Sequence, residues 1–379
     1  MDYDVVIVGA GPAGACAARF LAEKGVSVAL VDAARFPRKK PCAGWVNDKV
    51  LREYPFLDAA RRAVKAAPFR RLTFHSPDLK QTAEFTCRGN VGHIVRRETF
   101  DTALVRAAVK AGAKAMLGKK VTKIELGEHE VTAVFAGGSV TGQILVGADG
   151  VHSTVARLLR LRPRWEPEQL VLCLSKTLSL TAKQKAACFG SGGAIHVALG
   201  FGRAPGYAWA FPGTEHVAVG IGVRGHQAAN LRTLYDAWVH GLQAKGLLPA
   251  GTKADDPESA AIPAGAALEF ENHVGKRTVL IGDAGGFASS ASGEGIYPAI
   301  TSAAIAARCI IKALEADRGK KKGTTCQDEL LVFKHVWRQE LAAYLQMPNV
   351  NATFLLPLIY SNQEIADRFG RAFLLGENL

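Results

Sequence analysis

The residues with the plainest chemical purpose in this chain are glycines. Gly9-Ala10-Gly11-Pro12-Ala13-Gly14 spells G-x-G-x-x-G directly after the apolar run at residues 4–8, and Asp32 stands eighteen residues beyond Gly14. Such glycines permit a tight turn and bring backbone N–H groups up to a pyrophosphate at a helix N-terminus. A carboxylate at the end of the next strand accepts hydrogen bonds from a ribose. This is dinucleotide-binding chemistry. A second G-x-G-x-x-G, at residues 220–225, also follows a strand and precedes a helical stretch at 231–243. After that helix comes only Gly246-Leu247-Leu248-Pro249, too short and proline-broken for a strand ending in an acid. It reads as a glycine-rich strand end and not as a second nucleotide fold.

Two further segments bear on which dinucleotide is held. Gly147-Ala148-Asp149-Gly150-Val151-His152-Ser153 and Gly282-Asp283-Ala284 each put an aspartate into a turn at a strand end. An aspartate there can bond a polyol chain while neighbouring N–H groups face a phosphate or a ring carbonyl, an interaction that the ribityl chain of FAD requires and NAD does not. Tyr207 and Trp209 alternate, so they share one side of a strand and either line an apolar pocket or build sheet core. Cys42 is either a proton donor or a small buried residue. Glu294 acts through its charge or caps a helix beginning near Ile296. His75, His93, His196 and His216 show no metal-ligand spacing, and no metal is expected.

Positioning these residues requires a βαβ unit: a buried strand at 4–8, a helix over 15–24 closed by Gly25, and a second strand over 26–31. A basic loop follows at 35–42. The pattern then predicts a helix over 100–111 ended by Gly112, a hairpin through Gly137-Gly138 that returns toward Asp149, and a strand at 278–281 with a long helix over 296–316. Strand-like alternation from about 170 to 223 marks a second sheet inserted before the first domain is complete. The tail from Gly319 reads as helices broken at Pro348 and Pro357.

The 379 residues, 48% hydrophobic and 21% charged, exclude a disordered or collagen-like chain. Lys and Arg number 47 against 34 acids, a net charge of +13 that favours an anionic partner: a phosphate-bearing cofactor or a lipid surface. The charge is dispersed rather than gathered in a stripe with aromatics, so no nucleic acid is expected. Seven cysteines without a C-x-x-C pair point to a reducing, cytoplasmic setting. No secretory leader is expected. The charge-free stretch 341–363 carries Pro348, Pro357 and several amides, which suits peripheral membrane contact better than a spanning helix. The Lys320-Lys321-Lys322 run reads as a solvated loop.

The spaced set resembles the geranylgeranyl reductase family within the p-hydroxybenzoate-hydroxylase-type, glutathione-reductase-like FAD oxidoreductases. The match runs in order from residue 1 to about 315. It rests on Gly9, Gly11, Gly14 and Asp32, on Arg97-Glu98-Thr99-Phe100-Asp101 as R-x-x-F-D, on Gly282-Asp283 with Gly293-Glu294-Gly295-Ile296-Tyr297, on Tyr207-Ala208-Trp209-Ala210-Phe211-Pro212 as Y-x-W-x-F-P, and on Lys40-Pro41-Cys42-Ala43-Gly44. The resemblance implies an α/β fold. A Rossmann-like FAD-binding domain with a parallel sheet, discontinuous in sequence, would occupy 1–68, 96–160 and 275–316. A mostly antiparallel substrate-binding sheet would be inserted at 69–95 and 161–274, and a helical C-terminal region would cover 317–379.

It further implies that FAD is held by Gly9, Gly11, Pro12, Ala13, Gly14, Asp32, Ala33, Cys42, Ala43, Gly44, Arg97, Val121, Asp149, Gly150, Gly282, Asp283, Gly293, Gly295 and Ile296, with Cys42 catalytic and Tyr207, Trp209 and Phe211 on the substrate. The implied reaction is hydride transfer from reduced flavin to a carbon–carbon double bond of an isoprenoid or other lipid-like, apolar small molecule. NADPH, NADH and ferredoxin stay open as electron donors, as does the oligomeric state. The same scaffold also hosts aromatic monooxygenases, halogenases and, in principle, a non-catalytic flavin or lipid carrier. Tyr207 and Phe211 stand where a halogenase has W-x-W-x-I-P, and Y-x-W-x-F-P favours the reductase over the monooxygenase.

Overall fold

The computed structural model describes residues 2–162, 164–190, 193–319, 325–346 and 352–377, the side chains of 352–355 excepted. The Lys320-Lys321-Lys322 run and part of the 341–363 stretch lie outside the described residues. The chain forms two compact units, one of residues 1–38, 98–165 and 263–346, the other of residues 39–97, 166–262 and 347–379. Residues 39–68 therefore group with the second unit, and the C-terminal region is divided between the two.

The first unit is built on a parallel sheet in the order Lys114–Leu117, Val28–Asp32, Tyr3–Val8, Gly138–Gly147, Thr278–Leu280, with Val274–Gly275 antiparallel at the edge. Val5, Val6 and Ile7 are all fully buried. A strand without an exposed face must be covered on both sides, which is why it reads as a continuous β-branched run rather than as an alternation. The helix Pro12–Ala22 joins the first strand to Val28–Asp32 and packs against the long helix Ile296–Asp317. Chain order reverses beside Tyr3–Val8, and the carboxyl ends of strands at such a switch point are where α/β sheets bind ligands. The hairpin expected through Gly137 and Gly138 is present and continues as a three-stranded meander with Val121–Leu126.

The second unit holds a seven-stranded sheet in the order Glu258–Ile262, Val171–Ser179, His216–Arg224, Gly206–Pro212, Ala194–Leu199, Arg71–His75, Thr82–Thr86. Every pair is antiparallel except Ala194–Leu199 with Arg71–His75. Alternation divides its side chains cleanly. Ala208, Ala210, Val217, Val219, Ile221 and Val223 face one core, where Tyr235 and Trp238 of the helix Leu231–Ala244 are buried. Tyr207, Trp209, Phe211, Ile195 and Val197 face another, closed by Phe369, Phe373 and Leu374 of the helix Gln363–Leu375. A short sheet of Trp45–Asn47, Gly92–Ile94 and Ala67–Phe69 contributes Trp45 and Phe69 to that second core.

The second G-x-G-x-x-G now has a packing explanation. Gly220 pairs with Trp209 across the strands, and a Cβ on Gly220 would collide with the indole ring. At Gly222 a Cβ would stand 3.0 Å from the Cys173 sulfur. These glycines vacate the surface on which Trp209 lies. Gly220→Val should therefore overpack this face and lower unfolding free energy by about 1–3 kcal/mol, read as a lower urea midpoint at unchanged slope. A variant as stable as the parent would contradict the assignment.

Candidate functional site

In the first unit three segments meet. Gly9 has φ +103 and lies so close to the Ala148 carbonyl that a Cβ would collide with it, while a Cβ on Gly14 would strike the Gly9 carbonyl. The turn can close only with glycine at both places. Gly11 is then the N-cap of the Pro12–Ala22 helix, with no side-chain cap and no acid in the first turn. Its amides and the positive helix end remain for an anion. Asp32 binds this turn directly: its carboxylate accepts from the Ala10 N–H at 2.6 Å and the Ala34 N–H at 2.7 Å, next to exposed Ala33.

The second segment is the loop Gly282–Gly285. Gly282, at φ +57, sits where a Cβ would stand 2.8 Å from the Ala13 side chain, so this loop abuts the first helix turn. The third is the start of the helix Ile296–Asp317, where a Cβ on its N-cap Gly295 would lie 3.5 Å from the Asp283 carboxylate. Two helix N-termini are thus joined by one aspartate-bearing loop. Gly293 precedes them at φ +67.

Several side chains that hold this arrangement are not marked by any sequence motif. The Arg162 guanidinium donates to the Ala284 carbonyl at 3.2 Å and lies over the Trp165 ring at 3.7 Å. Burial lowers its pKa to about 10, which leaves it charged at neutral pH. His273 is fully buried among Phe270, Phe287 and Trp337, and its Nε2–H donates to the Gly285 carbonyl at 2.9 Å. Burial holds its pKa down at about 3, so the ring is neutral and serves as a fixed donor. Ser302 accepts from the Gly282 N–H at 3.1 Å. Arg38 places its guanidinium where a Cβ on Gly11 would lie 3.4 Å from it, and it is held there by the fully buried Asp101 at 3.2 Å. The D of R-x-x-F-D thus anchors a cation beside the first helix N-terminus. The only sequence signal for that cation is the basic loop itself.

The Asp149 carboxylate accepts from Ser153 Oγ at 2.6 Å and from the Thr154 and Val155 N–H groups at 2.7 and 3.1 Å. All three bonds lie within its own turn, and burial outweighs them in raising its pKa. Beside it Gly150, at φ +85, presents backbone. Glu294 accepts from the Tyr297 N–H at 2.8 Å and from Tyr344 Oη at 2.9 Å, the capping role, and burial pushes its carboxyl up to about 7. Val121 is buried at the start of its strand, and Arg97 is half-buried at the start of the helix Arg97–Lys110.

In the second unit the loop at 40–44 is fastened by Gly44, whose φ of +78 and close approach to the Val95 carbonyl exclude a Cβ. The Gly44 N–H donates to Cys42 Sγ at 3.3 Å, so the thiol is oriented by its own turn. Ala43 packs against the same apolar core as Tyr207, Trp209 and Phe211. Beneath Trp209 the buried Cys173 thiol is pushed up to about 12, chiefly by burial, with Cys42 adding to the rise and Lys40 opposing it. Ala43, beside Cys42, thus shares one apolar core with Tyr207 and Trp209. Tyr207 and Trp209 have ring centroids 5.8 Å apart, and Phe373 lies edge-on to Tyr207 at 5.4 Å and stacks on Trp45 at 6.0 Å. Trp45 and Phe373 are among the aromatic members that the sequence motifs do not include. His75 and His196 meet at 3.0 Å as a buried pair, and no group of three or more His, Cys, Asp or Glu among the described residues could hold a metal. No described helix is long and apolar enough to cross a membrane.

A strand–turn–helix with uncapped amides, an acid on the turn, a cation beside it and a second helix start facing an aspartate fit the pyrophosphate, ribose and polyol of FAD. The profile described as "FAD binding domain" matches residues 2–329. Digeranylgeranylglycerophospholipid reductase 1 of Methanopyrus kandleri is 30% identical over 328 residues, covering 84% of this chain and 82% of that protein. The enzyme of the same name from Methanococcoides burtonii is 28% identical over 329 residues, covering 85% and 77%. Among solved structures, a geranylgeranyl bacteriochlorophyll reductase-like protein of Thermoplasma acidophilum superposes with a TM-score of 0.77 at 20% identity, over 90% of this chain and 84% of that one. A halogenase in complex with FAD gives 0.71 at 18% identity, over 99% and 80%. At such identities the structural likenesses speak for the fold alone. The protein is an FAD-dependent oxidoreductase. Within that class the chain belongs to the family of the digeranylgeranylglycerophospholipid reductases.

Two outcomes follow from this geometry. Arg38→Gln should raise the FAD dissociation constant about tenfold or more, the worth of one charge-assisted bond at ~1.5–3 kcal/mol, measured by flavin fluorescence; unchanged retention would remove Arg38 from the site. Glu294 has a folded pKa of about 7, above the ordinary 4.5. Its protonated form therefore favours folding, and the contribution present below pH ~4.5 is lost as pH rises through ~7. Glu294→Gln should become more stable relative to the parent between those limits, by about 2–3 kcal/mol in total, in urea titrations of the FAD-loaded protein at pH 5 and pH 8. A pH-independent difference would refute the shifted carboxyl.

Proposed function

We propose that this protein reduces carbon–carbon double bonds in the isoprenoid chains of a membrane lipid. The observation that carries the reading is the aromatic face of Tyr207, Trp209 and Phe211 with the Cys42 loop packed beside it, in a chain whose relatives are named as reductases of a digeranylgeranyl glycerophospholipid. Bound FAD, once reduced, supplies hydride to one alkene carbon. The rest falls to the protein. The Gly9–Gly14 turn, Asp32, Arg38 and the Gly282–Gly285 loop hold the cofactor. Tyr207, Trp209 and Phe211 align an apolar chain and keep water from it. The Cys42 thiol delivers the proton to the other alkene carbon and regains one from water. NADPH, NADH or ferredoxin restores the electrons. With a lipid substrate, the protein works in the cytoplasm at the membrane surface, to which its surplus of cations draws it.

Anaerobic mixing of dithionite-reduced protein with geranylgeranyl phospholipid vesicles tests this. The lipid should reoxidise the flavin. Trp209→Ala should slow reoxidation about tenfold, the effect of ~1.4 kcal/mol in the barrier, and Cys42→Ser about a hundredfold, as for removal of a general acid, both at parental flavin content. Reoxidation by O2 with an aromatic acid but not by the lipid would replace the reading with a monooxygenase.

A further inference from the structure

Apart from the residues that form the site, the second unit contains an open cavity of about 510 Å³. Its charged and polar lining is Lys65, Arg70, Lys185, Asn90 and Thr214, together with apolar residues that include Ala67 and Phe69; none of the described lining residues is a carboxylate. Three separate elements bring the cations together. Lys65 lies just past the helix Leu57–Ala63 at φ +50, Arg70 follows the strand Ala67–Phe69, and Lys185 projects from the helix Ala182–Phe189. The Thr214 hydroxyl, in the turn between two central strands, donates to the Lys65 carbonyl at 2.5 Å and ties that lysine's backbone to the sheet.

Like charges gathered by three elements around one concavity repel each other, and an anion seated among them offsets that repulsion. Lys185 is half-buried, and burial lowers its pKa with no carboxylate among the causes. Buried His216, in the adjoining strand, is held down at about 4 by burial and by the charges of Arg96 and Lys185. Arg96 thus adds a further positive charge near Lys185. The space is of the size that holds a phosphorylated small molecule or a lipid headgroup.

We propose that this cavity is a phosphate-binding site in which Lys65, Arg70 and Lys185 clamp the anion and Asn90 and Thr214 orient it. It stands independently of the proposed reaction, since it uses none of the residues given a role there.

The probe is pyrophosphate, titrated calorimetrically into the FAD-loaded full chain at low salt. Binding should be measurable and should weaken as salt rises. In Lys65→Gln/Arg70→Gln/Lys185→Gln the affinity should fall at least about tenfold for each charge-assisted hydrogen bond removed. Lys185→Arg should preserve it, and Lys110→Gln, on a helix of the first unit, should leave it unchanged. Far-ultraviolet circular dichroism and flavin content, both expected at parental values, separate damage to the site from damage to the fold. Phosphatidylglycerol vesicles distinguish the source of the phosphate. If the triple variant stops binding both vesicles and pyrophosphate, the anion is a lipid headgroup; if it stops binding pyrophosphate alone, the anion is a free phosphorylated molecule. Pyrophosphate affinity equal in the parent and the triple variant, or absent from the parent, would overturn the proposal.

Discussion

Everything in the first unit turns on the approach of the Gly282–Gly285 loop to the first helix. Gly282 stands where a Cβ would be 2.8 Å from Ala13, and Asp283 reaches the N-cap of the second helix. Only glycine at 282, in a left-handed conformation, lets two helix N-termini share one loop. The Gly282 and Asp283 carbonyls accept from the backbone N–H groups of Phe287 and Gly286, and Arg162 and His273 supply partners from outside the loop for the Ala284 and Gly285 carbonyls. Burial keeps His273 neutral, and a neutral ring donating through Nε2 is what a carbonyl needs. The loop is thus preorganised by two side chains that come from outside it, the arrangement by which a rigid shell fixes a binding geometry.

The second unit depends on a different absence of side chains. Without Cβ atoms at 220 and 222, Trp209 lies flat against its neighbouring strand and leaves Tyr207, Trp45 and Phe373 to close the aromatic face. Glycine serves nucleotide chemistry in one unit and indole packing in the other. The two G-x-G-x-x-G stretches look alike as strings and differ in physical purpose.

That contrast also explains how far the sequence could be read. The first fingerprint was legible because strand, turn, helix and terminal acid all agree locally, and local agreement is what periodicity and turn chemistry encode. The sheet partition was legible for the same reason, since alternation at 207–211 and 216–223 assigns each side chain a face. Arg38, Arg162 and His273 were not. Arg38 meets its anchor at residue 101, and nothing in the neighbourhood of residue 162 announces a carbonyl at residue 284. Asp149 shows the complementary limit: a strand-end aspartate looks the same whether it awaits a hydroxyl or caps its own turn, and here its three bonds are to that turn. Phe373 illustrates another, since a C-terminal helix carries no local sign of which sheet face it covers.

The decisive question is chemical: whether this FAD oxidoreductase adds hydrogen to an isoprenoid double bond. Mass analysis of the lipid after one anaerobic turnover with reduced protein answers it most directly. The expected product is heavier by two hydrogens for each flavin oxidised, and both are deuterium when the protein is reduced and reacted in heavy water, because the proton comes from solvent and the N5–H of reduced flavin exchanges with it. A lipid of unchanged mass, or one that gains an oxygen atom when air is admitted, would contradict the proposed reduction.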